Sequence, residues 1–493
     1  MLYDKTNPLS IESYGKKMIG RTFEDIANHP VNYQVVVKTD YIKEDGIPST
    51  EEYATSHAKK TYKGGMGLLV EECYFGYEAN SNPSADFEEA GVELKVTPYK
   101  KTKKGFAAKE RLVLTMINYF DVVKEQDFEH SHLWEKAKLM LLVWYMHQTN
   151  TLKSTIDFVQ LFSPPQEDLS IIIDDYNKIV AKIKCGKAHE LSEGDTLYLG
   201  ACTKASTSKD RRQQPFSDIE AKPRAFSLKN SYMTYVLNNY IIPGKITYES
   251  ILKDSSSNFE TYVINKIAEY AGKSVSELCN IFSIENPKAK NLQSILAFKI
   301  LGVSGNHATE FEKAGIAVKA IRIAKNGKIK ESMSFPAIKY DELALETWET
   351  STFGNYLRDT RFFFVIYEED QNEILHLKQG MFWNIPYEDL EGNVHKVWQE
   401  THDIVAEGHI TLSLDGKGKL SNNFPKASKN PVSHVRPHAQ TKDDTSNLPP
   451  GTKINLLQEG IWPYSDKYTK HCFWLNNSYI LEQIKKNSSA HCV

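Results

Sequence analysis

Ala90-Gly-Val-Glu-Leu-Lys-Val-Thr-Pro98 is the stretch that decides the fold class. Val92, Leu94 and Val96 alternate with Glu93, Lys95 and Thr97, the period-two pattern of a strand with one face in a core. Glu93 and Lys95 then project together from the other face. Asp86 lies just ahead of the strand and can fold back toward that face, which completes Asp-x6-Glu-x-Lys. Two carboxylates on adjoining structure offer hard oxygen ligands suited to Mg²⁺, which keeps several waters and binds phosphate. A lysine two residues along can orient or help deprotonate a water nucleophile and offset charge on a phosphate. The pattern arises by accident in roughly one such chain in ten, and charged residues on a strand's wet face are usually only solvated. Its neighbours therefore decide.

Upstream, Lys63-Gly-Gly-Met-Gly-Leu-Leu-Val-Glu71 reads as a glycine-rich turn entering a helix, with Glu71 early in it. In most proteins an acid there is ordinary helix electrostatics. Downstream, the turn Tyr99–Gly105 carries Lys101, Lys103 and Lys104 and leads to a second alternating stretch, Arg111–Tyr119. The expectation is a hairpin with a basic rim beside the carboxylates, as phosphate positioning demands. Lys109, at the start of the second strand, is expected to point back into the site. A formal net charge of −3 gives no sign of a polyanionic partner, but local fields matter more. Lys95–Arg111 holds seven basic residues against one acid, and Lys204–Lys229 seven against three.

At 493 residues two domains of roughly 200–250 residues are expected. An apolar content of 41% with 11% aromatics supports real cores and argues against a disordered chain. No run approaches the ~20 apolar residues of a membrane helix, and Leu139–Met146, the longest, is strand-sized. The N-terminus shows no basic segment followed by an apolar run. The six cysteines form no CxxC pair, so reduced thiols in the cytoplasm, away from any membrane, are expected.

The chain repeats itself. Gly20-Arg-Thr-Phe-Glu-Asp-Ile26 is echoed by Gly272-Lys-Ser-Val-Ser-Glu-Leu278, and Asp86-Phe-Glu-Glu-Ala-Gly-Val-Glu-Leu-Lys95 by Glu310-Phe-Glu-Lys-Ala-Gly-Ile-Ala-Val-Lys319. Phe226-Ser-Leu-Lys-Asn-Ser-Tyr-Met233 returns as Phe473-Trp-Leu-Asn-Asn-Ser-Tyr-Ile480, with five of eight residues identical. Three echoes in one order point to a duplication. Leu139–Met146 and Arg361–Tyr367 correspond as buried strands. The break falls between Pro243 and Ser257, giving a first domain over 1–245 and a second over 255–493. Lys426–Pro450 reads as a long surface loop. The expected fold is α/β: a mixed sheet flanked by helices, once per half.

The ordered motifs KGGMGLLVE, DFEEAGVELKVTP, KERLVL, TKA and RAFSLKNSYM resemble the MutH family of nucleases. The chain is more similar still to the Sau-type restriction endonucleases, which cut GATC and carry a duplicated MutH-like architecture. The likeness covers most of the chain, including Ala188–Gly194 and His434–His438. It implies a restriction-endonuclease-like fold, metal-binding carboxylates at Asp86 and Glu93, a catalytic lysine at Lys95, an active-site glutamate at Glu71 and a further lysine at Lys109. It also implies a DNA-facing element at Thr203, Lys204, Arg224, Ser227 and Lys229. Ser227 stands where MutH has the tyrosine that senses adenine methylation, and Cys202 replaces an arginine of its recognition loop. In the second half Lys319 survives, but Ala317 matches Glu93, Glu310 matches Asp86, and no acid lies between Glu285 and Glu310. A single carboxylate is a poor Mg²⁺ site, so this copy is expected not to cut, while Arg436 keeps a DNA-facing role.

The implied activity is Mg²⁺-dependent cleavage of duplex DNA at GATC, leaving 5′ GATC ends, by a homodimer assembled on DNA. The rivals are a MutH-like strand-nicking repair enzyme and a non-catalytic GATC-binding protein. His434 and His438 have the spacing of a helical metal pair, but Pro437 between them argues against a helix.

Overall fold

The computed structural model describes residues 2–29, 65–77, 84–103, 105–205, 207, 209–242, 248–252, 258–441 and 443–490. Much of the expected break, 243–247 and 253–257, lies outside these, as do Lys63, Gly64 and Lys104. The chain forms two compact units. One comprises Met1–Leu191, Thr196–Asn258 and Thr309–Gly315; the other comprises Ser192–Asp195, Phe259–Ala308 and Ile316–Val493. Both are mixed α/β. No helix among the described residues is long and apolar enough to cross a membrane.

The first unit holds strands β1 (Glu93–Thr102), β2 (Gly105–Ala108), β3 (Leu112–Met116), β4 (Met140–Met146) and β5 (Ile156–Phe162). It continues with β6 (Leu199–Thr203), β7 (Arg212–Gln214), β8 (Ser217–Ala221) and β9 (Arg224–Leu228). One sheet runs β2-β1-β4-β5, with β1 parallel to β4 and the outer pairs antiparallel. β4 is buried from Met140 to Tyr145, as a continuous apolar run at a sheet centre must be. Val92 and Leu94 enter the core with Leu69, Phe75, Phe87 and Leu141. The face opposite is also covered: Glu93, Thr97 and Tyr99 are all buried.

The expected hairpin takes a different form. β1 turns back onto β2 alone, pairing only over Tyr99–Thr102, and β3 joins a second sheet in the order β3-β9-β6. Pro98, which has no N–H to give, stands just before that pairing begins and accepts from Lys109 N at 2.9 Å. Among the described residues, Glu93–Pro98 of β1 is thus left without a strand partner on that edge. Leu112 and Leu114 of β3 are buried, and β9 offers the strand a ladder.

The helix Gln166–Lys184 places acids in its first turn and lysines in its last, in accord with its dipole. Midway along, fully buried Asp175 accepts from Leu197 N, Tyr198 N and Leu199 N at 2.8, 2.7 and 3.0 Å. Burial raises its carboxyl to about 6. These bonds fix the entry into β6.

The second unit holds β10 (Ala317–Ile323), β11 (Met333–Ala337), β12 (Phe362–Glu369) and β13 (Leu375–Trp383). Then come β14 (Thr411–Leu414), β15 (Leu420–Asn422), β16 (Ser433–Pro437), β17 (Thr445–Asn447), β18 (Asn455–Leu456), β19 (Lys467–Thr469) and β20 (His471–Leu475). Its main sheet is β10-β12-β13, with β10 parallel and β13 antiparallel to β12. Ala317 pairs with Phe362, just as Glu93 pairs with Met140 in the first unit. A further sheet runs β11-β20-β16. The stretch 426–450 is more than a surface loop, since Ser433, His434 and Val435 are buried on β16.

Candidate active site

Three elements bring the acidic groups together. Glu71 sits in a π-helical turn, Val70–Phe75, that continues the helix Gly65–Leu69; such turns recur at functional sites. Asp86 precedes a one-turn helix, Glu88–Ala90, and Gly91 reverses the chain in the left-handed region at φ 63°. That reversal lets Asp86 Oδ2 accept from Leu94 N at 2.9 Å and Asp86 N donate to Glu93 Oε2 at 3.3 Å.

Two lysines close over Glu93, which is 4% exposed. Lys95 Nζ lies 2.8 Å from Oε1 and Lys136 Nζ 2.9 Å from Oε2. Lys95 also donates to Leu114 O at 3.1 Å. A β-bulge between Val113 and Thr115 takes Leu114 out of the β3 ladder, the kind of irregularity that re-aims groups beside active sites. Lys136 also donates to Ser84 O. Nothing in the sequence marks Lys136. It ends a short helix, His132–Ala137, and the parallel pairing of Glu93 with Met140 brings that helix to the carboxylates.

The electrostatics match this crowding. Burial, then the charges of Asp86 and Glu93, raise the Glu71 carboxyl to about 7 against the pull of Lys136 and Lys95. Asp86 is raised by burial and then by Glu93. Among the described residues no three His, Cys, Asp or Glu side chains close into a ready-made metal cage. Clustered carboxylates are nonetheless hard-oxygen donors for a divalent cation, which needs few protein ligands when water and phosphate supply the rest. The donor set fits such an ion, and the two ammonium groups offset part of the negative charge.

The other expected residues scatter. Lys109 Nζ lies 3.3 Å from His147 Nδ1 and 3.9 Å from Glu110, and no contact ties it to the carboxylates. Lys101 and Lys103 are exposed but not beside the site: eight residues of strand from Glu93 to Lys101 span ~26 Å. Thr203 and Lys204 are exposed at the end of β6. Arg224, Ser227 and Lys229 are buried. Arg224 Nη1 donates to Ala201 O at 2.9 Å and Lys229 Nζ to Thr196 O, so internal carbonyls hold these two cations. In the second unit, exposed Arg436 lies 3.7 Å from the Trp474 ring.

The residues that echo Lys95 and Asp86 in the sequence, Lys319 of the second unit and Glu310 of the first, differ in kind. Burial alone lowers Lys319 below the ordinary lysine range. Glu310 accepts from Ser250 Oγ, Ile251 N and Leu252 N at 2.5, 2.9 and 3.0 Å, so its carboxylate is already committed to backbone and hydroxyl partners.

Carboxylates gathered at a strand's start under two lysines offer the groups that hydrolysis of a phosphodiester can use. The family model described as DNA mismatch repair enzyme MutH matches residues 75–175 and 302–392. The chain is 38% identical over 466 residues to the type II restriction enzyme Sau3AI of Staphylococcus aureus, covering 86% of this chain and 93% of that protein. It is 27% identical over 184 residues to the DNA mismatch repair protein MutH of Shewanella baltica, with 36% and 80% of the two chains covered. The MutH of Vibrio campbellii is 27% identical over 194 residues, covering 37% and 81%. The chain belongs to the MutH and Sau3AI family, and within it is a type II restriction enzyme.

Proposed function

We propose that the enzyme cleaves both strands of duplex DNA at GATC ahead of the G, leaving 5′ GATC ends, with Mg²⁺ as its metal. The carrying observation is the cluster of Asp86, Glu93, Lys95 and Glu71 in the first unit; the sequence preference rests on the Sau-type resemblance. Asp86 and Glu93 would hold Mg²⁺, which when bound would supply charge neutralisation at the scissile phosphate. Lys95 orients the attacking water and offsets charge gathering on the phosphoryl oxygens. Lys136 holds Glu93 in place. The water oxygen bonds to phosphorus as the bond to the leaving sugar oxygen breaks, and Glu71, raised to about 7, can carry a proton at working pH. Lys109 and the basic turn at Lys101, Lys103 and Lys104 meet phosphates farther along the duplex, with Thr203 and Lys204 nearer the recognition face.

The two halves are a duplication, and the second is a non-cutting copy. The equal registers of β1 with β4 and of β10 with β12 support this, as does the loss of Glu93 to Ala317. Arg436 on Trp474 gives that copy a DNA-binding face, for allosteric or dimerising use. With one cutting site per chain, two chains meet on DNA to break both strands, in the cytoplasm. The test is a plasmid bearing GATC sites, incubated with and without Mg²⁺. Magnesium-dependent linear fragments with 5′ GATC ends support the reading. Nicked circles alone favour the strand-nicking rival, and intact plasmid of retarded mobility favours a non-catalytic binder.

The same cluster sets a pH dependence. A charged Glu71 beside Asp86 and Glu93 favours a cation there, so its protonation below the raised value, about 7, weakens Mg²⁺ binding. The Mg²⁺ concentration for half-maximal cleavage should rise as pH falls from 8 to 6 and level off above 7. Glu71→Gln should flatten that rise. A half-saturation point that ignores pH in the unmodified enzyme would refute the coupling.

A further inference from the structure

The hairpin of β7 and β8 is built unlike an idle surface loop. At its tip Phe216 is 72% exposed and holds φ at 64°, a left-handed conformation costly for a bulky side chain. The surroundings enforce it. Gly186, at φ 69°, seats the tip: a Cβ there would stand 2.4 Å from Phe216 O. Gln214, paired with Ser217 across the turn, is buried and staples the hairpin down, accepting from Ala188 N at 2.7 Å, meeting His189 Nδ1 at 3.0 Å and donating to Ile219 O. A strained, braced backbone that presents an aromatic ring to solvent calls for a partner.

Charge selects the partner. Lys209, Arg211 and Arg212 on the approach to the tip are exposed, whereas the exposed acids Asp218 and Glu220 lie on the return strand β8. Arg212 also lines a cavity of about 410 Å³ with Met116, Tyr119 and Phe120. Apolar side chains flanked by cations suit duplex DNA, where the ring meets the base stack and the cations meet phosphates. The hairpin also interrupts the chain between Thr203 on β6 and Arg224 on β9.

We propose that Phe216 at the hairpin tip is a wedge that the enzyme presses into the minor groove of its duplex substrate, with Arg211 and Arg212 on the flanking phosphates. This rests on the reading that the substrate is duplex DNA containing GATC. The wedge loosens a base step beside the site and fixes the duplex against the carboxylates.

The test uses the full chain, a labelled GATC duplex without Mg²⁺ for affinity, and the same duplex with 2-aminopurine beside the site to report unstacking. Phe216→Ala should weaken binding and raise KM about tenfold, with kcat held within about threefold and the melting temperature unchanged. The 2-aminopurine signal should fall away, and Phe216→Trp should restore it. Arg212→Ala should reduce the salt dependence of binding by about one phosphate contact. Wild-type affinity and fluorescence in Phe216→Ala would overturn the wedge, as would a loss of melting temperature that Phe216→Trp fails to rescue. Failure of the unaltered enzyme to cut GATC would instead sink the parent reading.

Discussion

Glu93→Gln should lower cleavage of a GATC duplex about 10³-fold or more while DNA affinity stays within a few-fold. Glu93 is the group on which the site converges: it accepts from Lys95, Lys136 and Asp86 N. Removing one metal-holding carboxylate forfeits about 4 kcal/mol of transition-state stabilisation, which is that factor in rate. Glutamine is the informative replacement. Alanine would strand two ammonium groups whose side chains are 17% and 10% exposed, a loss of about 3 kcal/mol in stability that would confuse chemistry with folding. Glutamine keeps one oxygen acceptor and the side-chain volume. Single-turnover cleavage beside a binding isotherm separates the two effects, and a Glu93→Gln enzyme that cuts within tenfold of the parent would contradict the assignment.

Lys136→Met should reduce cleavage by about 10–100-fold, the usual cost of losing a group that orients a metal ligand. Methionine keeps the packing of the stem but leaves Glu93 Oε2 and Ser84 O without the ammonium they share. Lys136 also draws the carboxyls of Glu71 and Asp86 downward. Without it protons compete harder, and half-saturation by Mg²⁺ should move to higher concentration at neutral pH. Lys109→Met, whose nearest partners are His147 and Glu110, should have the smaller effect on turnover. Equal losses in the two variants, or an unchanged Mg²⁺ requirement in Lys136→Met, would refute the positioning role.

The difference between these lysines shows where local reading reaches its limit. β1 was legible because Val92 and Leu94 enter the core and Glu93 and Lys95 do not, and β4 and β12 because unbroken apolar runs belong at sheet centres. Lys136 reaches Glu93, 43 residues away, through the parallel pairing of β1 with β4, and parallel register leaves no local trace. β3 has the alternation of a hairpin partner, yet alternation does not say which sheet a strand joins, and β9 claims it. Arg224 and Lys229 look like surface cations until their carbonyl partners are seen. Polar residues with internal partners cannot be told from ligand-facing ones by type alone.

The most direct measurement is the cleavage rate of a single-GATC duplex by Glu93→Gln and Lys319→Met side by side in saturating Mg²⁺. Lys319 is the surviving lysine of the second unit, and burial already disfavours its charge, so methionine there should be tolerated. The expected result is that Glu93→Gln is inert while Lys319→Met cuts at close to the parent rate with the same 5′ ends. Cleavage that survives Glu93→Gln but is lost in Lys319→Met would place the chemistry in the second unit and contradict the assignment.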